Sequence, residues 1–321
     1  MWAEIHNSLQ HADWAKELDE SQSVNYERLK EITKETFDFE KLFQIVAKGN
    51  DYIEMKDAFN KCVFDAYKDM DDNVIGSVSN DTKLNFSING IRNLIERFAK
   101  EGRGSGTSFF FSLNQDIYIE RQFYNYLHPL CVKTHDAITY LNSGGRTPFE
   151  NHFSPVPTED SLNVMLEKLK LESENLHYVK LHGSFNWVRS DGNNMMVIGT
   201  SKDEDINNEP ILKWYKDLFE NVLSKEDCRL LIIGYGFADP HINNIILESI
   251  KKKRGLRIYI ICPADPEDFK NKILINIGCE EDEYLLWKAI SAYYPYTFEK
   301  LFPQDSDSRK YYELTKQYFE S

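Results

Sequence analysis

The chain has 321 residues, about twice the ~150-residue size of a single domain, which leaves room for one large α/β domain or two smaller units. Its 38 Lys and Arg against 52 Asp and Glu give a formal net charge of -14, the wrong sign for broad, non-specific contact with nucleic-acid phosphates. With 41% hydrophobic and 13% aromatic residues it carries enough apolar material to fold, which excludes global disorder.

The start, Met1-Trp2-Ala3-Glu4-Ile5-His6, lacks the basic patch and apolar run of a signal peptide, and no later apolar stretch approaches the ~20 residues of a spanning helix. Five cysteines, at 62, 131, 228, 262 and 279, are scattered without a CxxC pair, which argues against a disulfide framework and against a tetrahedral zinc module. The expectation is a soluble cytoplasmic protein with no membrane partner and no metal.

From Trp2 to about Lys100 the apolar residues recur at three- and four-residue spacing, as in Phe39, Leu42, Phe43, Val46 and Ile53, Ala58, Val63, Ala66, Tyr67, which predicts helices. Turn formers break the pattern at Gly49-Asn50-Asp51 and from Asp71-Asp72-Asn73 through Asn80-Asp81. Gly102-Arg103-Gly104-Ser105-Gly106 reads as a loop.

Beyond it come short apolar runs of strand length: Ser108 to Leu113, Tyr178 to Leu181, Met195 to Ile198, Leu230 to Ile233 and Ile258 to Ile261. Parallel strands buried on both faces have this form. Between the last two, Asp239-Pro240-His241 opens a helix carrying Ile242, Ile245, Ile246 and Ile250, with an N-cap carboxylate and Pro at its first position. Lys251-Lys252-Lys253-Arg254-Gly255 ends it, cations facing the dipole and Gly supplying a left-handed stop. Strand, helix and strand make a βαβ unit, and the basic run reads as a solvated cap. The aromatic-rich stretch from Asp282 to Ser321 reads as a helical cover on one edge of the core. The expected division is 1–106 helical, 107–281 core, and 282–321 C-terminal helical segment.

Three strand ends could carry chemistry. Phe109-Phe110-Phe111-Ser112-Leu113-Asn114-Gln115-Asp116 ends in a hydroxyl, two carboxamides and a carboxylate at the carboxyl end of a strand, where open parallel sheets bind ligands. The same Asn and Asp could equally cap a following helix over Ile117 to Leu127. Tyr178-Val179-Lys180-Leu181-His182-Gly183-Ser184-Phe185-Asn186-Trp187 ends in an imidazole that could serve as a general base, with Gly183 allowing close approach of a ligand; a strand-end His is also commonly a satisfied structural residue. Ile232-Ile233-Gly234-Tyr235-Gly236-Phe237-Ala238-Asp239-Pro240 opens through two glycines into a helix N-terminus, a seat for a phosphate or ribose hydroxyl, or simply a tight turn requiring positive φ.

The order of an Asn-x-Asp strand, then Lys-Leu-His-Gly-Ser, then Ile-Gly-Tyr-Gly-Phe-x-Asp-x-His-Ile-Asn resembles the sirtuin-like NADase domains of bacterial anti-phage systems such as Thoeris, over roughly Phe109 to Pro263. The resemblance implies a Rossmann-like, doubly wound parallel α/β sheet with a large helical N-terminal portion and a helical C-terminal cover. It implies cleavage of NAD to nicotinamide and ADP-ribose, with NAD as substrate. Asn114 then positions the nicotinamide ribose or the attacking water, Asp116 fixes that loop and His182 is the base. Ser112, Gly183, Gly234, Tyr235 and Gly236 border the nucleotide, Asp239 caps the next helix, and Thr200 in Ile198-Gly199-Thr200-Ser201-Lys202 borders the ribose. An abortive-infection role, a homo-oligomer and a defence-system partner protein are implied in the same way.

The chain departs from the family pattern in three places. Family members open with a buried strand and a Gly-Ala-Gly-x-Ser-type phosphate loop, whereas Met1-Trp2-Ala3-Glu4-Ile5 matches the helix after that loop, so the strand and loop are expected to be missing. Gly102 to Gly106 precedes a strand and cannot replace the loop. Gln115 stands where Tyr is usual and Gly236 where Ser is usual. A catalytically inactive nucleotide-binding or scaffold protein of the same fold is the alternative. The four-Cys zinc module of protein-deacylating sirtuins has no counterpart among these cysteines.

Overall fold

The computed structural model describes residues 20–34, 42, 59, 62–70, 85–105, 107–123, 128–129, 154–162, 164, 176–189, 194–199, 202–252, 254–304 and 308–320. In chain order the elements are α1 (Glu20–Thr33), α2 (Ile88–Ser105), β1 (Ser108–Ser112), α3 (Tyr118–Phe123), β2 (His128–Pro129), β3 (Ser154–Pro155), β4 (Leu176–Lys180), β5 (Gly183–Val188) and β6 (Asn194–Met196). Then follow α4 (Lys202–Asn208), α5 (Pro210–Leu223), β7 (Arg229–Ile233), α6 (Pro240–Lys251), β8 (Arg257–Ile261), α7 (Pro266–Ile277), α8 (Glu280–Ala289), β9 (Ile290–Tyr294), α9 (Phe298–Leu301) and α10 (Arg309–Phe319). The fold is α/β and Rossmann-like, with strands joined through helices into parallel pairs. The chain falls into two compact units, residues 1–83 with 109–212, and residues 84–108 with 213–321.

The first unit holds two three-stranded sheets, ordered β1-β4-β2 and β3-β5-β6. β4 is buried along its whole length, as its apolar run requires, and pairs parallel with β2. Where the sequence suggested a single strand running to its end at His182, the chain turns over Leu181 and His182 and continues as β5. β5 pairs parallel with β3 and antiparallel with β6, Gly183 facing Met196 and Ser184 facing Met195. The run Met195 to Ile198 is therefore an antiparallel partner, not a further parallel strand. Tyr26 and Leu29 of α1 and Cys62, Val63, Ala66 and Tyr67 of the helical stretch 62–70 present their apolar faces to one core with Ile117, Phe185 and Ile198. The expected breaks at Gly49-Asn50-Asp51 and between Asp71 and Asp81 lie outside the described residues.

In the second unit β8 is the middle strand of β7-β8-β9, parallel to both neighbours. The β7-α6-β8 crossover is the βαβ unit expected from the spacing. Asp239 is the N-cap of α6 and Pro240 follows it, but the Asp239 side chain makes no capping hydrogen bond; its carbonyl accepts from the Ile242 and Asn243 amides. α6 ends at Lys251, with Lys252 right-handed, so Gly255 (φ +82) turns the loop beyond the helix instead of closing it. Among the described residues of the basic run, Lys251 pairs with Glu248 and Asp282 (both 3.1 Å), Lys252 with Glu220 (3.1 Å), and Arg254 donates to the Ser224 carbonyl (3.3 Å).

Two further expectations are corrected here. Gly102, Arg103, Gly104 and Ser105 are helical, the last turn of α2, because a helix already propagating adds one backbone bond per residue and absorbs the ~1 kcal/mol cost of each Gly. The C-terminal stretch is not all helix: β9 completes the sheet, since Ile290 and Tyr294 find a matching parallel edge on β8. α9 and α10 then cover it, Leu301, Phe302, Leu314 and Tyr318 packing with Tyr259, Ile261 and Leu94.

Candidate functional site

The three strand ends singled out in the sequence divide between the units, the first two in one and the third in the other. In the first unit, β1 ends at Ser112 and the chain loops through Asn114, Gln115 and Asp116 into α3. Ser112 Oγ accepts from the Asn114 amide (3.1 Å) and Asp116 Oδ1 from the Tyr118 amide (2.9 Å), so hydroxyl and carboxylate shape the loop and start the helix. Asn114 is left exposed.

β4 ends beside this loop, and the Leu181 amide donates to the Ser112 carbonyl (2.9 Å). His182 follows with a side chain only 4% exposed. Gln115 joins the two segments: its Nε2 donates to the carbonyls of Val197 (2.7 Å) and His182 (3.3 Å), and its own carbonyl accepts from the Phe185 amide (3.0 Å). Gln115 thus ties the segment that carries Asn114 and Asp116 to the turn that carries His182. Gly183 sits in the left-handed region (φ +73), and a Cβ there would lie 2.3 Å from the Met195 carbonyl oxygen. That glycine is required by the β5–β6 pairing, which accounts for it without a ligand.

Beneath the loop lies a charged network that sequence reasoning missed. Lys180, the one cation in the apolar run of β4, is 1% exposed and Glu120 of α3 is 2% exposed, and they pair at 2.9 Å. Lys180 Nζ also donates to Ser184 Oγ (2.9 Å) and to the Asp116 carbonyl. The single Ser184 hydroxyl proton is shared between Asn186 Oδ1 (2.8 Å) and the Gln115 carbonyl (3.2 Å), and the Tyr178 hydroxyl donates to Glu120 Oε2 (3.2 Å). Burial lifts the Glu120 carboxyl above its ordinary value, with Lys180 opposing. Burial, and then the nearby Glu120 charge, hold the Tyr178 phenol well above its ordinary range, so it stays a donor. A lysine flanked by Val179 and Leu181 was the available signal, since a cation in a buried strand demands a partner.

In the second unit β7 ends at Ile233 and the chain passes through Gly234 (φ +68), Tyr235, Gly236 and Phe237 (φ +57) to Asp239. Positive φ is thus needed at Gly234, as expected, but the second such position is Phe237, not Gly236. Phe237 holds it because its ring is buried, 4.7 Å from the Tyr235 ring and 5.9 Å from Phe269, while Asn243 Nδ2 donates to its carbonyl (2.8 Å). The single Tyr235 hydroxyl proton is shared between Asn243 Oδ1 (2.7 Å) and the Asp239 carbonyl (3.2 Å), and burial keeps the phenol far above its ordinary value and protonated. The Gly236 carbonyl accepts from Asn276 Nδ2 (2.8 Å). Among the described residues a Cβ on Gly234 would meet nothing within 4 Å. Thr200 lies outside the described residues.

The first unit thus carries a carboxamide and an imidazole on segments tied together through Gln115, and the second, by itself, a glycine turn leading into α6. Among the described residues no helix is long and apolar enough to cross a membrane. A comparison with curated proteins returns no match. The family model for the SIR2-like domain matches residues 108–284, which runs from β1 into α8 and takes in all three strand ends. Covering more than half of the 321 residues, that match and the fold it spans make this chain a member of the SIR2-like domain family, whose chemistry is tied to NAD.

Proposed function

We propose that this chain is an NAD glycohydrolase, cleaving NAD to nicotinamide and ADP-ribose, and that it acts as an abortive-infection effector in anti-phage defence. The observation that carries the enzymatic reading is the junction at the ends of β1 and β4, where Gln115 links the Asn114 loop to the His182 carbonyl at 3.3 Å. Hydrolysis of an N-glycosidic bond passes through an oxocarbenium-like state. In the proposed step the bond from C1′ to the pyridinium nitrogen breaks, its electron pair leaves with nicotinamide, and a water oxygen bonds to C1′. His182 takes the proton released by that water. Asn114, neutral and polar, holds the ribose without collapsing onto the cation. Ser112 and Asp116 keep the Asn114 loop in place.

The test is nicotinamide release by the purified chain, followed by chromatography. His182→Ala and Asn114→Ala are each expected to lower kcat by at least ~100-fold with the fold intact. Binding of NAD by calorimetry without any nicotinamide release would instead make the chain a nucleotide-binding protein. The defence role is read from NAD content in infected cells, which should fall with the wild-type gene and hold with His182→Ala.

A further inference from the structure

We propose that Gln115 is a positioning residue that fixes the Asn114 loop against the His182 turn, an inference that rests on the glycohydrolase reading above. Its side chain is 5% exposed and every polar atom of its carboxamide is engaged. Nε2 donates to the Val197 and His182 carbonyls at 2.7 and 3.3 Å, and Oε1 accepts from the Tyr67 hydroxyl at 3.2 Å.

Tyr67 sets which end of the amide points where. A phenol donating to Oε1 leaves the NH2 group facing the two carbonyls, the only orientation in which all three bonds form. Tyr67 is itself fixed, its ring stacked on Phe185 with centroids 5.4 Å apart and planes 12° from parallel. The main chain of Gln115 is tied separately, its carbonyl accepting from the Phe185 amide and Ser184 Oγ. The backbone of the loop is therefore anchored without the side chain. What the carboxamide adds is a link from the residue next to Asn114 to the carbonyl of His182 itself.

Two volume-conserving variants separate this role from mere core filling. Gln115→Met keeps the bulk and removes the three bonds, and is expected to lower kcat about 100-fold with KM within about threefold. Tyr67→Phe keeps the stacked ring and loses one neutral hydrogen bond, with an expected kcat loss of about fivefold. Because the hydroxyl acts through the amide, the double variant should be no slower than Gln115→Met alone.

Hydrogen exchange on the full chain supplies a readout that does not need turnover. Both variants should raise exchange in residues 112–118, 181–189 and 194–198 while α1 and β4 keep their protection. Unchanged kcat in Gln115→Met, additive losses in the double variant, or loosening spread evenly over the first unit would overturn the proposal. If Gln115→Met fails to fold, Tyr67→Phe carries the same test. If the wild-type chain releases no nicotinamide, the glycohydrolase reading falls by itself, and exchange then decides alone: local loosening upholds the positioning role and unchanged exchange ends it.

Discussion

Two glycines that look alike in the sequence, each following an apolar strand, have different causes. Gly183 and Gly234 both adopt left-handed backbone, but a methyl group on Gly183 would run into the Met195 carbonyl while one on Gly234 would meet none of the described residues within 4 Å. Gly183→Ala should therefore destabilise by about 3 kcal/mol, combining strain with a blocked β5–β6 contact. Gly234→Ala should cost only the ~1–2 kcal/mol of the left-handed conformation. Denaturant midpoints of the two variants, measured side by side, check the order; a Gly234→Ala chain less stable than Gly183→Ala would contradict this account. If the turn at Gly234 is where a nucleotide lies, Gly234→Ala should also weaken NAD binding.

At the scale of elements, the strands whose apolar runs ended in a polar cluster were legible, and those shaped by partners were not. β1, β4, β7 and β8 fall within two residues of their expected bounds because each carries a short run of consecutive large apolar side chains. β5 does not stand out in the sequence because Ser184 and Asn186 interrupt its apolar residues, and the Lys180 network is what lets such side chains fit in a buried strand. β9 was hidden among aromatics with helical spacing, and its pairing with β8 is a long-range contact that no local pattern announces. The same network gives a pH test. Glu120 is raised by burial, so its contribution to stability is complete below its unfolded value near ~4.3 and is lost as pH rises through its folded value. Lys180→Met removes the opposing cation and lifts Glu120 further. Its stability deficit against wild type should thus be small near about pH 4 and widen to about 3–5 kcal/mol near neutrality, followed as Tm against pH. A deficit independent of pH would mean that Lys180 matters for packing alone.

Over the whole molecule, the family and the α/β class were readable because three short motifs sit where a parallel sheet places its ligands. Asn114 and His182 stand out by residue type and position, whereas the bonds around them, from Tyr67 to Gln115, Lys180 to Glu120 and Gln115 to His182, span 48, 60 and 67 residues of sequence and are joined only in three dimensions. The helix that runs through Gly102 and Gly104 makes the same point, since composition favoured a loop and propagation from the preceding turns prevailed.

The cations at the end of α6 give the molecule a practical property. Lys251 and Lys252 already answer to Asp282 and Glu220, and Arg254 is held by the Ser224 carbonyl, so these three cations of an acidic chain are engaged within it instead of turned to a polyanion. On a column the protein should pass straight through immobilised heparin at moderate salt and be retained by a quaternary-ammonium resin at the same pH. Retention on heparin would show that those pairings open in solution.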